Sequence, residues 1–229
     1  MPQPRHIELP GCFNLRDVGG YPTRGGANVV WNRLYRSGEL SSVSPSVADH
    51  LVREYGILQV IDLRAAEEIG ASRCSLPGPG RQVNMPLFTS FRSHWVRPAD
   101  QRPEATASRY LEMLEQGLPS IGRILSFLVE IPCRPTLIHC AAGRDRTGIV
   151  IAFLLDLLEV TEEAIAADYA LSDGIIEDGA RAHAETIYHL FELLRRKHTS
   201  TRDLLMTSGV SSTRIVQLHD LLLERASGE

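Results

Sequence analysis

Cysteine, lysine, long apolar runs and surplus positive charge are all scarce in this chain, and each scarcity excludes something. The four cysteines, Cys12, Cys74, Cys133 and Cys140, are scattered, matching neither a zinc-ligand spacing nor a dense disulfide framework. A reducing compartment is the natural setting for them. Cys133 and Cys140 sit at opposite ends of one apolar segment, so Cys133 is poorly placed to resolve an oxidised Cys140. The longest fully apolar run, Ile149 to Leu155, stops at Asp156, far short of the roughly 20 residues a membrane helix needs. No integral membrane segment is therefore expected. Met1-Pro2-Gln3-Pro4 is followed by no apolar core, so no signal peptide is visible and a cytoplasmic location is expected, with secretion by another route left open. A net charge of −4 argues against bulk attraction to nucleic acid. Lys197 is the single lysine among 24 basic residues, a composition expected of a GC-rich, bacterial genome.

What is present fits one globular unit. Hydrophobic residues make up 43% and charged residues 23% of 229, ordinary values for a folded domain, and a single domain over 1–229 is expected. The pattern is α/β. Val29-Val30-Trp31 and Leu34-Tyr35 read as an early strand pair or hairpin with the Val18 region. Ser44-Pro45 opens a helix that Gly56 stops. Leu58–Asp62, Val83–Leu87 and Thr136–His139 read as short buried strands; Glu104–Gln116, Ile121–Ile131, Thr147–Leu158 and Thr161–Leu171 read as helices. Apolar stripes at Ile187, Leu190, Phe191, Leu194 and at Ile215, Leu218, Leu222 make the C-terminal third helical. Ser172-Asp173-Gly174 breaks the pattern. Phe88–Arg102, polar with Trp95 and Pro98, reads as a lid or a surface loop. The basic cluster Arg195-Arg196-Lys197-His198 is explained by a helix C-terminus.

The most informative stretch is His139-Cys140-Ala141-Ala142-Gly143-Arg144-Asp145-Arg146-Thr147-Gly148, between a β-branched strand and a long apolar helix. A thiol attacks only as thiolate, a form favoured by a helix N-terminus and nearby cations; Cys140 precedes both. Five residues separate Cys140 from Arg146, enough to wrap one loop around a tetrahedral dianion. Main-chain N–H groups of residues 141–146 would converge as an anion nest, with Ala141 and Ala142 keeping its floor clear and Gly143 taking a positive φ or a close approach. Arg146 would fork onto two phosphate oxygens. Thr147 would donate to the sulfur, and Arg144 adds a second cation beside the loop. This arrangement predicts a cysteine-dependent phosphatase acting through a phosphocysteine, with no metal or cofactor.

The His-Cys, five residues, Arg-Thr pattern resembles the signature of the protein tyrosine phosphatase superfamily. Gly143-Arg144-Asp145-Arg146-Thr147-Gly148 is similar to the loop of its atypical bacterial and fungal branch, with Arg144 in place of the commoner lysine. Phe13-Asn14-Leu15-Arg16-Asp17-Val18-Gly19-Gly20-Tyr21, Leu34-Tyr35-Arg36-Ser37-Gly38 and Val60-Ile61-Asp62-Leu63-Arg64 also look like that branch. The resemblance implies a central, mostly parallel sheet flanked by helices. It also implies a phosphorylated protein or a phospholipid headgroup as the substrate partner, phosphotyrosine first, with phosphoserine, phosphothreonine and phosphoinositides as alternatives. It places the general acid within the loop, at Asp145.

Several residues keep two readings. The acid is Asp145 or, on the Phe88–Arg102 segment, Asp100; Asp145 could instead brace the loop through an arginine. Asp62 and Arg64 either line the pocket at a strand's carboxyl end or pair structurally there. His139 either holds the loop or is a core residue. Asn14, Arg16 and Asp17 tie down an N-terminal hairpin or help to organise the loop. A rhodanese-like sulfur carrier and a phosphate-binding pseudo-enzyme are distant alternatives, and the Asp-Arg-Thr-Gly ending disfavours the former.

Overall fold

Four short strands run parallel and carry their ends to one edge. The computed structural model describes residues 4–69, 76–88, 100–130, 134–175 and 179–225. β1 (Arg16–Asp17), β3 (Leu34–Ser37), β6 (Thr136–His139), β4 (Gln59–Asp62) and β5 (Arg81–Asn84) form one sheet in the order β1-β3-β6-β4-β5. Only β1, at one edge, is antiparallel to its neighbour. The register sets Ser37 beside His139 and His139 beside Asp62, so three carboxyl ends lie level where an α/β sheet presents its ligand site.

Strand alternation divides the core in two. Tyr35, Leu137 and Val60 face a cluster with Leu51 and Ala48 of α1 (Pro45–Tyr55). Leu34, Ile138 and Ile61 face a larger cluster built from α3 (Pro103–Glu130), α4 (Asp145–Leu157), α5 (Glu162–Ala170), α6 (Ala184–His198) and α8 (Ser212–Leu222). A short α2 (Ala66–Ile69) follows β4, and α7 (Thr201–Thr207) bridges α6 and α8. Residues 146–155 of α4 are buried on every side, as the all-apolar run requires of a central helix.

Local signals set several ends. Ser44 caps α1 by accepting from Val47 N–H, Pro45 occupies its first turn, and Gly56 closes it at φ +64°. Thr161 caps α5 in the same way.

Other boundaries differ from the pattern reading for definite reasons. The two helices expected at 104–116 and 121–131 are one helix, α3, with Pro119 inside it. An interior proline costs about 3 kcal/mol, but Pro119 is exposed while a continuous stripe, Tyr110, Leu111, Leu114, Ile121, Ile124 and Leu125, is buried across the joint. Gly117 is required there, since a Cβ would lie 2.4 Å from Leu87 Cδ1. β5 ends at Asn84 rather than Leu87, because Pro86 has no N–H for the ladder.

The early strand β2 (Ala27–Val29) does turn back on Tyr21 and Gly20. Its ladder partner, however, is β7 (Leu223–Arg225), near the far end of the chain. The basic cluster ending α6 is paired: Lys197 and His198 meet Glu115 of α3 at 2.8 and 2.5 Å, Arg195 meets Glu162, and Arg196 meets Glu192. Of the segment 88–102 expected as a lid or a surface loop, 89–99 lie outside the described residues, as does Cys133. No helix among the described residues is long and apolar enough to cross a membrane.

Candidate active site

Strand β6 delivers Cys140 to the sheet's carboxyl edge, and the chain turns through 141–144 into α4. Four successive carbonyls of this loop are tied backwards. Cys140 O accepts from His139 Nδ1 at 3.1 Å, Ala141 O from Glu39 N at 2.8 Å, Ala142 O from Asn14 Nδ2 at 3.2 Å and Gly143 O from Arg36 Nη2 at 2.7 Å. A peptide plane points its C=O and the following N–H in opposite directions. The N–H groups of Ala141, Ala142, Gly143 and Arg144 are thereby turned forward, away from the protein. The first turn of α4 has no side-chain cap, which leaves its N–H groups to an anion. Gly143 has φ +68°, and a Cβ there would sit 2.4 Å from Ser37 O; both demands anticipated for this glycine are met at once.

Behind the loop is a buried polar network in which Arg36 Nε is left without a partner among the described residues. Arg16 and Arg36, both at 0% exposure, converge on Asp168 of α5. Arg16 Nε meets Oδ1 at 3.1 Å and Arg36 Nη1 meets Oδ2 at 2.5 Å. Tyr21 donates to Asp168 at 3.1 Å, and Ser172 Oγ accepts from Arg16 at 3.1 Å and from Asn14 at 3.2 Å. Burial opposes the Asp168 charge, yet the two guanidiniums outweigh it and hold the carboxyl down at about 2. Arg16 is lowered to about 10 by burial first and by Arg36 second. Two cations on one carboxylate leave net positive charge beneath the loop. Asn14 adopts φ +57°, a left-handed conformation stored at the point where its amide reaches Ala142. Asp17 instead secures the hairpin, accepting from Gly19 N and Asn32 N at 2.7 and 2.8 Å.

The expected site residues take distinct places. Cys140 is 2% exposed, at the base of the loop, while Ala141, Ala142 and Asp145 are half-buried around it. Arg146 is buried and forks onto Glu68 of α2, Nη1–Oε2 at 2.5 Å and Nη2–Oε1 at 2.8 Å, while its guanidinium lies over the Phe88 ring at 5.5 Å. Burial works against the Arg146 charge, but Cys140, Glu68 and Asp145 together hold it above its ordinary value. Glu68 also accepts from Ala65 N at 2.8 Å, the reciprocal bond of a capping box. Thr147 is fully buried, and its hydroxyl has no partner among the described residues; the expected hydrogen bond to sulfur is not made in this state. Arg144 is also buried, turned to Asp145 Oδ2 at 3.3 Å and Ala180 O at 3.2 Å, so it is committed to the α5–α6 connection.

Asp62 and Arg64 form an ion pair, Nη2–Oδ2 at 2.8 Å, which Glu39 extends at 2.6 Å. They line a cavity of about 50 Å3 with His139 and Asn84, room for only a few waters at the roughly 15 Å3 a water centre needs. Asp62 faces His139 Nε2 at 3.8 Å. A carbonyl only accepts, so His139 carries its proton on Nδ1, and burial lowers its pKa despite Asp62. Asp100 is exposed and pinned by Arg102 at 2.7 Å, with its carboxyl held near about 2 by that guanidinium. Asp145 lies in the loop with its carboxyl 34% exposed and receives a 2.5 Å hydrogen bond from Tyr110.

Sequence reasoning did not identify Glu68, Asp168, Tyr110 or Tyr169. A capping-box glutamate three residues after Ala65 was the one local signal for Glu68; nothing local pointed to the others.

A family model described as the tyrosine phosphatase family matches residues 7–224, and the chain belongs to that family. The triple specificity protein phosphatase PtpB of Mycobacterium tuberculosis is 28% identical over 220 residues, covering 81% of this chain and 75% of its own. A tyrosine-protein phosphatase of Nostoc commune is 27% identical over 167 residues, covering 67% of this chain and 53% of its own. The crystal structure of P. aeruginosa TpbA aligns with a TM-score of 0.39 at 13% identity, over 80% of this chain and 91% of that one.

Proposed function

We propose that this chain, as a single domain, hydrolyses phosphomonoesters, with phosphotyrosine in proteins as its main substrate. The observation that carries the reading is the backward tie of four consecutive carbonyls, 140 to 143, which turns the following N–H groups into a preformed cage for a tetrahedral dianion. The dianion docks against these groups and Arg146. The Cys140 thiolate attacks phosphorus in line; the S–P bond forms as the ester P–O bond breaks. Asp145 passes its proton to the departing oxygen. Its carboxylate then takes a proton from the water that attacks the phosphocysteine, releasing phosphate and restoring the thiolate. The buried, unpartnered hydroxyl of Thr147 is costly as it stands, and donation to the leaving sulfur would satisfy it.

The geometry also supports Asp145 over Asp100 as the acid. Asp100 is locked to Arg102 on the surface, whereas Asp145 borders the loop itself. Arg144 is turned away to Ala180, which leaves Arg146 as the main loop cation and favours a single phosphate over a multiply phosphorylated inositol headgroup. A wider range, including phosphoserine, phosphothreonine and lipid phosphates, is the second reading; breadth beyond one substrate class is what the mycobacterial relative's name, a triple specificity protein phosphatase, states for that protein.

Cys140→Ser should abolish p-nitrophenyl phosphate turnover while phosphate still binds; undiminished turnover would end the mechanism. Parallel kinetics on phosphotyrosyl, phosphoseryl and inositol-lipid substrates separate the two readings.

A further inference from the structure

Tyr110 of α3 and Tyr169 of α5 are almost wholly buried, yet both spend a polar tip beside the loop. The Tyr110 hydroxyl lies 2.5 Å from Asp145 Oδ1 and 2.8 Å from the Tyr169 hydroxyl. Their rings meet edge to face at 6.1 Å and 81°, so each also fixes the other's ring. Gly148, in the first turn of α4, makes room: a Cβ there would touch the Tyr169 ring at 3.0 and 3.1 Å. Phenylalanine would fill the same space without burying a hydroxyl, so the chain Tyr169–Tyr110–Asp145 calls for an account beyond packing. Burial, first, and the neighbouring Asp145 raise both phenols far above their ordinary value, so both act as neutral hydroxyls.

We propose that Tyr110, backed by Tyr169, is the positioning residue for Asp145, fixing Oδ1 so that the working proton is confined to Oδ2. This rests on Asp145 being the general acid. Oδ1 accepts from Tyr110 whether or not Oδ2 carries a proton, so the carboxyl keeps one orientation while it first donates to the leaving oxygen and then accepts from water. Because the Tyr110 proton is given to Asp145, Tyr169 donates to Tyr110, and the pair acts as one rigid arm. On the other side Arg144 Nε reaches Oδ2 at only 3.3 Å, a weak contact beside the 2.5 Å bond on Oδ1.

The test is a series of aryl phosphates with leaving groups from good to poor, plus phosphotyrosine, on parent, Tyr110→Phe, Tyr169→Phe, Asp145→Asn and Tyr110→Phe/Asp145→Asn. Asp145→Asn should steepen the dependence of kcat on leaving-group pKa, since poor leaving groups need the proton. Tyr110→Phe should steepen it in the same sense, costing about 10- to 100-fold with poor leaving groups, part of the 10²–10⁴ that general acids supply. With p-nitrophenyl phosphate it should cost only a few-fold, with KM unchanged. The double variant should be no worse than Asp145→Asn alone. A uniform loss, or none, in Tyr110→Phe while Asp145→Asn steepens the dependence would overturn the positioning role and leave the acid assignment standing. An unchanged dependence in Asp145→Asn would remove the acid assignment and this inference with it. If Tyr110→Phe does not fold, Tyr169→Phe asks the same question with a smaller expected steepening, and a flat result there counts against the proposal equally.

Discussion

The two sides of the Cys140 loop are built on opposite rules. At its back, carbonyls, guanidiniums, an amide and a carboxylate are buried and paired with one another, from Asn14 and Arg36 to Asp168 and Ser172. At its front, Ala141, Ala142 and Asp145 are half-open, and the uncapped start of α4 faces out. The carbonyls tied at the back are the reason the front stays open. A loop free to relax would turn its N–H groups inward to find protein acceptors, whereas carbonyls fastened behind cannot turn. Buried pairing is concentrated on one side, and the groups proposed to meet the phosphate lie on the other.

Variants can break that division. The largest stability effect is expected at the back: Asp168→Leu strands two buried guanidiniums and should cost about 3–5 kcal/mol in urea unfolding, with activity lost alongside. Its front counterpart, Asp145→Asn, should leave stability within about 1 kcal/mol and slow only the chemistry. If Asp168→Leu lowered activity at undiminished stability, the brace would not be structural. Asn14→Ala removes a buried amide that donates to Ala142 and Ser172 and accepts from Arg16, and should cost about 1–3 kcal/mol while weakening phosphate binding measured by calorimetry. Glu68→Gln keeps the shape but not the charge; it should raise KM a few-fold as Arg146 loosens, with a melting temperature within a few degrees of the parent.

A pH dependence isolates the charge of the same pair. Asp168 titrates at about 2 in the folded chain, below the unfolded carboxylate value of 3.8. Its contribution to stability is therefore complete above about pH 4 and is lost as pH falls towards 2. Acid unfolding of Asp168→Asn should lack that component; identical acid profiles would show that the pairing adds nothing.

The residues proposed to carry the chemistry were legible because they lie on one short loop. Cys140, Gly143, Arg146 and the start of α4 depend on one turn and one helix, and their spacing states their geometry. The N-terminal motif was legible as a motif but not as a device. Asn14 reaches Ala142 and Ser172 across 128 and 158 positions, and no local pattern encodes such a meeting. Arg64 and Asp62 kept two readings until the structure placed them in a tight ion pair at the strand end, behind His139. The joint at Pro119 was misread because local propensity argues for a break there, while burial of a continuous stripe outweighs it.

Strand and helix periods, the sulfur and guanidinium on one loop, and the helix that follows could be read from residues alone, because each depends on neighbours within about ten positions. What stands behind that loop and beside it came only from packing: Asp168 between two arginines, Glu68 on Arg146, and Tyr110, backed by Tyr169, on Asp145. Those groups come from separate strands and helices, and only the packing of the sheet against α3, α4 and α5 sets them within hydrogen-bonding reach.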